Sequence, residues 1–169
     1  MPIFMPTAAF RRVTDITPGD LRALGAEAVL LDVDNTLTVH NAPAPLEGAV
    51  EWTHALRDAG LRVIIVSNNK RTRVEAFSAK FGLPFCWRAC KPLPLGYIRA
   101  ARQMGARPGH CVVIGDQIFT DIIGANLIGM KSVLLTPIEE ETGWSFRLRR
   151  RLEKPFREKL SRKERRNLS

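Results

Sequence analysis

The sequence predicts an α/β fold: a doubly wound, Rossmann-like sheet of five parallel strands with helices on both faces and no cap domain. Three observations lead there. Between residues 28 and 136, apolar runs of strand length alternate with stretches whose apolar residues recur at helical spacing. Two of the helical stretches end on glycines, Gly60 and Gly82, where a left-handed residue can close a helix. Strands that alternate with single helices are joined by right-handed crossovers, which makes the sheet parallel and buries it on both sides.

The first strand is 28–33, a continuous apolar run ending in acidic residues. Residues 47–59 read as a helix with Ala49, Val50, Leu56 and Ala59 on its apolar side. The second strand is 61–67, and the helix at 71–81 buries Val74, Phe77 and Phe81. A weak third strand at 83–87 precedes a helix at 94–104, where Leu95, Ile98 and Ala101 stand three residues apart. Residues 110–115 form the fourth strand, 121–128 the helix after it, and 131–136 the fifth strand. Ahead of this block, residues 1–27 read as an N-terminal extension containing a short helix started near Pro18. The domain runs over 28–143, and 144–169 form a separate tail.

Composition narrows the class. With 169 residues, 45% hydrophobic and 25% charged, the chain has the size and apolar content of one globular domain. No apolar stretch approaches the ~20 residues of a membrane span. The N-terminus places its apolar part before its charges and is too short for a signal peptide, so secretion is not expected. Cys86, Cys90 and Cys111 are too few for a disulfide scaffold, and no second Cys/His pair completes a zinc site with Cys86 and Cys90. A reduced, cytoplasmic protein is expected.

In a doubly wound sheet, ligands bind beyond the carboxyl ends of the strands, where strand order reverses. The first strand ends in Asp32-Val-Asp34-Asn-Thr36, the second in Ser67-Asn68-Asn69, and the fourth in Gly115-Asp116 with Asp121 five residues on. Lys91-Pro92 opens a helix between them. Asp32 and Asp34, two residues apart, leave an extended strand on one side. Joined by Asp116 and Asp121, they would repel one another unless a cation sat among them, and hard oxygen ligands suit Mg²⁺. A carboxylate can attack a phosphoryl group, a lysine can neutralise the charge being transferred, and Ser67 and Asn68 can bind phosphoryl oxygens. Separately, these residues also fit turns and helix caps. The Asp-x-Asp spacing also begins a calcium loop, but Leu37 and Pro43 stand where glycine and glutamate are required.

This order of motifs resembles the haloacid dehalogenase (HAD) superfamily of phosphatases. Asp32-Val-Asp34-Asn-Thr36 looks like its first motif, Ser67 its second, Lys91 its third and Gly115–Asp121 its fourth, so the resemblance spans about residues 28–136. It implies that Asp32 is the nucleophile and Asp34 the general acid/base. Mg²⁺ would be held by the Asp32 carboxylate, the Asp34 backbone carbonyl and Asp116, with Asp121 assisting. The second aspartate of the first motif is the mark of the phosphatases, and the resemblance also implies that the first and fourth strands are neighbours. Residues 10–18, 32–36, 66–69 and 115–121 are similar to the YqeG-type branch of subclass IIIA, itself similar to the mitochondrial phosphatidylglycerophosphate phosphatases.

Only 32 residues separate Asp34 from Ser67 and 21 separate Asn69 from Lys91, too few in either interval for a cap. An open site admits bulky esters such as a lipid headgroup. The net charge of +9 is concentrated at the end of the chain: residues 147–169 hold 11 Lys/Arg against 3 Asp/Glu, leaving 15 against 14 elsewhere. There, Trp144, Leu148, Leu152, Phe156 and Leu160 recur every four residues, and Pro155 interrupts any helix they form. Such a basic, amphipathic tail suits the surface of an anionic membrane, or packs on the body with its charges solvated. It carries no recognisable nucleic-acid motif. His54 and His110 read as structural, and His40, close after the first motif, as a residue near substrate.

The expected protein is a Mg²⁺-dependent phosphatase working through an aspartyl-phosphate, with phosphatidylglycerophosphate as substrate, at the inner face of the membrane. A phosphatase of a soluble sugar, nucleotide or other metabolite is the enzymatic alternative. A phospho-accepting or nucleic-acid-associated adaptor is the non-enzymatic one.

Overall fold

The computed structural model describes residues 3–39, 42–138, 151 and 153–155. His40 and the five residues of the tail's apolar stripe lie outside them. The strands are β1 (Ala8–Phe10), β2 (Ala28–Leu31), β3 (Arg62–Val66), β4 (Phe85–Cys86), β5 (Cys111–Gly115) and β6 (Lys131–Leu135). The helices are α1 (Pro18–Ala23), α2 (Ala49–Asp58), α3 (Arg71–Ala79), α4 (Leu95–Gln103) and α5 (Ile123–Asn126). All strands are parallel, in the order β1-β6-β5-β2-β3-β4. The predicted α/β class and doubly wound parallel sheet are present.

The sheet has six strands rather than five. Ala8–Phe10 pairs in parallel with β6, Ala8 opposite Val133. Three half-buried residues at a sheet edge are too short to show a period, so the sequence pattern did not reveal them. The N-terminal segment is also part of the core, where Val13, Ile16 and Leu21 are buried among α2 and α3 residues. Trp52 of α2 donates its indole N–H to the Ile16 carbonyl at 2.7 Å. The helix expected near Pro18 is α1, begun by a capping box in which Thr17 and Asp20 exchange hydrogen bonds.

Alternation along β2 assigns its residues to two cores. Val29 and Leu31 join Leu56, Val74, Phe77 and Phe81 on one face. Ala28 and Leu30 join Tyr97, Ala100 and Val113 on the other. Asp32, next in the even series, continues the face on which α4 lies. From β2 the chain runs outward through β3 and β4, and from β5 it runs the other way through β6. The reversal therefore falls between β2 and β5, which are direct neighbours with Leu31 opposite Ile114.

Between β5 and α5 the chain makes a wide, π-helical turn, Ile118–Ile122, where a regular helix from residue 121 was expected. Ile118 and Ile122 pack with Leu134 in a small separate core, and this apolar anchoring sets the turn ahead of the helix. Among the described residues, no helix is long and apolar enough to cross a membrane.

Candidate active site

Asp32 immediately follows β2 and still belongs to the ladder, its N–H donating to the Ile114 carbonyl at 3.0 Å. The chain then turns tightly: the N–H groups of Thr36 and Leu37 both donate to Val33 O, at 3.2 and 2.9 Å. Asn35 takes the left-handed conformation at φ 57°, which asparagine adopts more readily than most residues. This turn presents Asp34 to Arg73 and Asn69.

Asp116 follows β5, adjacent to β2, and is fully buried. Asp121 returns to it over the π-helical turn. Its Oδ2 accepts from the Gln117 N–H at 3.2 Å. A Cβ on Gly115 would lie 2.3 Å from the Asp121 carboxyl carbon, so the glycine at the strand end leaves the space this side chain occupies. The carboxylates of Asp32, Asp116 and Asp121 then offer three oxygens within 4.8 Å of one another, all on buried residues.

Lys91 enters from the other side. Its loop is tied to β3: Ala89 N–H donates to Ser67 O at 3.0 Å, and Arg88 N–H donates to Asn69 O at 3.2 Å. The Asn68 amide bridges the Lys91 backbone, donating to its carbonyl at 3.2 Å and accepting from its N–H at 2.7 Å. Gly96 lets the start of α4 press onto this loop, since a Cβ there would meet Ala89 O at 2.3 Å. The Lys91 ammonium, 5% exposed, forms ion pairs with Asp32 and, at 2.7 Å, with Asp121 Oδ1. Tyr97 lies beneath, its hydroxyl donating to Thr120 O at 3.1 Å and approaching Asp121 Oδ1 at 3.5 Å.

The electrostatics follow from three carboxylates facing one ammonium in a dry setting. Burial pushes the Asp32 carboxyl up to about 8; Lys91 opposes this, while Asp121 and Asp116 add to it. For Lys91, burial works against the charged form, but Asp121 and Asp32 outweigh it and hold the ammonium well above its ordinary value. One lysine does not balance the cluster. An all-oxygen, buried and electron-rich donor set of this kind fits a hard divalent cation such as Mg²⁺.

The structure thus brings together Asp32, Lys91, Asp116 and Asp121. It places Asp34 differently: Arg73 of α3 donates to its Oδ1 at 2.6 Å and Asn69 to its Oδ2 at 2.8 Å. Ser67, 2% exposed at the end of β3, accepts the Asn69 N–H on its Oγ at 3.2 Å. Asn68, expected among the substrate-binding residues, holds the Lys91 backbone with one N–H and its carbonyl oxygen, leaving its second N–H outside these two bonds. His54 is exposed on α2, and His110 pairs at the surface with Glu27, Nδ1 to Oε1 2.7 Å.

Three participants were not found from the sequence. Arg73 carried a usable signal, since a cation in the first turn of a helix opposes the helix dipole and implies an anion to hold. Tyr97 is the chain's single tyrosine, on an otherwise apolar helix face. Glu153 had no signal at all. Buried to 1%, its carboxylate accepts from the N–H groups of Ile118 at 2.9 Å and Phe119 at 3.5 Å. It caps the turn that links Asp116 to Asp121, so a residue assigned to the tail supports the acidic cluster.

Residues 14–129 match the family described as haloacid dehalogenase-like hydrolase. The chain is 35% identical over 160 residues to the probable phosphatase YqeG of Bacillus subtilis (strain 168), covering 95% of this chain and 93% of that one. An uncharacterized protein from Listeria monocytogenes serotype 4b shares the fold with a TM-score of 0.55 at 20% identity, over 69% of this chain and 84% of that one. A HAD family hydrolase from Deinococcus radiodurans R1, solved with bound phosphate and sodium, shares it with a TM-score of 0.52 at 19% identity, over 67% and 92%. The family match runs from before α1 to the turn ahead of β6 and takes in every residue of the acidic cluster: the chain belongs to the haloacid dehalogenase-like hydrolases.

Proposed function

We propose that this hydrolase is a Mg²⁺-dependent phosphomonoesterase that forms an aspartyl-phosphate on Asp32 and acts on phosphatidylglycerophosphate. The observation that carries the chemistry is the convergence of Asp32, Asp116, Asp121 and Lys91 from two neighbouring strand ends, the π-helical turn after β5 and a helix-opening loop. The Asp32, Asp116 and Asp121 carboxylates would hold Mg²⁺, with the Asp34 backbone carbonyl as a further ligand. When bound, the ion would supply charge stabilisation between an anionic nucleophile and an anionic phosphate.

The chain's own groups account for the rest. An Asp32 carboxylate oxygen attacks phosphorus, the bond to the ester oxygen breaks, and Asp34 delivers a proton to the departing alcohol. Water, deprotonated by Asp34, then attacks the same phosphorus. The bond to Asp32 breaks and inorganic phosphate leaves with the carboxylate regenerated. Arg73 and Asn69 orient Asp34 for both proton transfers, and the Ser67 hydroxyl hydrogen-bonds a phosphoryl oxygen. Lys91 offsets charge on the transferring group, and Asn68 fixes the loop from which it reaches.

The substrate reading is supported by the YqeG-type motif pattern, the absence of space for a cap, and the basic tail beyond residue 146. Its test is phosphate release from phosphatidylglycerophosphate in mixed micelles beside a panel of soluble sugar and nucleotide phosphates. The lipid should be turned over with kcat/KM at least about tenfold above any soluble ester, a 1.4 kcal/mol margin. Rapid hydrolysis of a soluble ester with none of the lipid would transfer the activity to a metabolite phosphatase.

A further inference from the structure

A cavity outside the acidic cluster opens beside Arg73, the partner of Asp34. It holds about 200 Å³ and is lined by Ala42, Pro43, Arg73, Ala76, Phe77 and Lys80. Residues 73, 76, 77 and 80 stand at helical spacing along α3 and its end, so they form one continuous stripe. Arg73 and Lys80 lie seven residues apart, about 10 Å along a helix axis, so a cation stands at each end of an apolar wall. The Arg73 end touches the catalytic centre through Asp34. Opposite stand Ala42 and Pro43, where Lys80 Nζ donates to Pro43 O at 2.5 Å and Thr38 Oγ1 to Ala44 O at 2.5 Å.

The proton donor to a leaving group must lie next to the leaving oxygen. A cavity lined by Arg73, the ion-pair partner of Asp34, adjoins that donor and is therefore where the alcohol portion of the ester comes to rest. We infer that this cavity is a leaving-group subsite that selects alcohols carrying a second phosphate, bound by Lys80, their carbon skeleton lying on Phe77 and Ala76. The inference rests on the reading of Asp34 as proton donor. A neutral alcohol would give Lys80 no anion beyond its Pro43 carbonyl contact, whereas a phosphodiester or phosphomonoester one short carbon chain away would meet it with opposite charge. Lipid and water-soluble bisphosphates share this chemistry, and the experiment separates them.

The test uses the full chain with Mg²⁺ and four substrates: p-nitrophenyl phosphate, glycerol 3-phosphate, glycerol 1,3-bisphosphate, and short-chain phosphatidylglycerophosphate in micelles. The unmodified enzyme should prefer at least one doubly charged substrate over glycerol 3-phosphate by about tenfold in kcat/KM, the scale of one hydrogen bond to a charged group. Lys80→Ala should raise KM for that substrate about tenfold and leave p-nitrophenyl phosphate within about twofold. Lys80→Arg should restore most of the preference. An effect on the lipid alone assigns the subsite to a lipid headgroup; an effect on both assigns it to any second phosphate. Equal losses on all four substrates would reduce Lys80 to a support for the Pro43 loop and overturn the inference, as would the lack of any preference in the unmodified enzyme. Failure to hydrolyse even p-nitrophenyl phosphate would strike instead at the phosphatase reading beneath it.

Discussion

Asp32→Asn abolishes turnover, lowering kcat by about four orders of magnitude or more, as expected when the atom that forms the covalent bond is replaced. The amide has nearly the same shape, and its carboxamide nitrogen cannot attack phosphorus as the carboxylate oxygen does. The fold should survive, because the substitution removes one of three crowded carboxylates while Lys91 keeps its 2.7 Å partner Asp121. Steady-state rates with p-nitrophenyl phosphate, read beside a thermal melt, check both halves. A variant that keeps a tenth of the activity would show that Asp32 is not the nucleophile.

Lys91→Met is the substitution with the largest expected cost to stability. The side chain is 5% exposed and its ammonium faces Asp32 and Asp121. Removing one member of a buried ionic group leaves the others uncompensated, at a cost of about 3–5 kcal/mol. For a chain of this size that corresponds to a fall in Tm of roughly 10 °C. Because a divalent ion would neutralise the same carboxylates, the fall should be larger in EDTA than in excess Mg²⁺. Activity should drop by about 10³-fold with it, since the transferring phosphoryl group also loses its cation. An unchanged melting temperature in EDTA would mean that Lys91 does not balance the cluster.

The fold was legible wherever burial imposes a pattern. β2, β3, β5 and β6 are apolar runs because both faces of a parallel sheet are covered, and residues such as Gly60 and Gly82 stand where helices end. β1 escaped notice because three edge residues paired with β6 need no hydrophobic period. The π-helical turn escaped it because Ile118 and Ile122 are fixed by Leu134, which is distant in sequence. The convergence of Asp32 and Asp116 could be anticipated because strand ends gather at one edge of such a sheet, and Asp121 and Lys91 follow from the turn and the loop that open at that edge. The supporting contacts were not, for a physical reason. Tyr97 beneath Asp121 and Glu153 on the Ile118 amide are single long-range contacts that nothing local in the sequence requires, and the cation in the first turn of α3 does not by itself identify Asp34 as the anion Arg73 holds. Asn68 adds a role its place in the motif did not suggest: its amide also holds the Lys91 loop.

The central claim is that Asp32 takes the phosphoryl group onto its own carboxylate. Acid quenching during turnover of p-nitrophenyl phosphate with Mg²⁺, followed by peptide mass spectrometry, measures this directly. The account predicts one phosphoryl group on the peptide containing Asp32, absent when the ester is omitted and absent in Asp32→Asn. Continued phosphate release with the label on another residue, or on none, would contradict it.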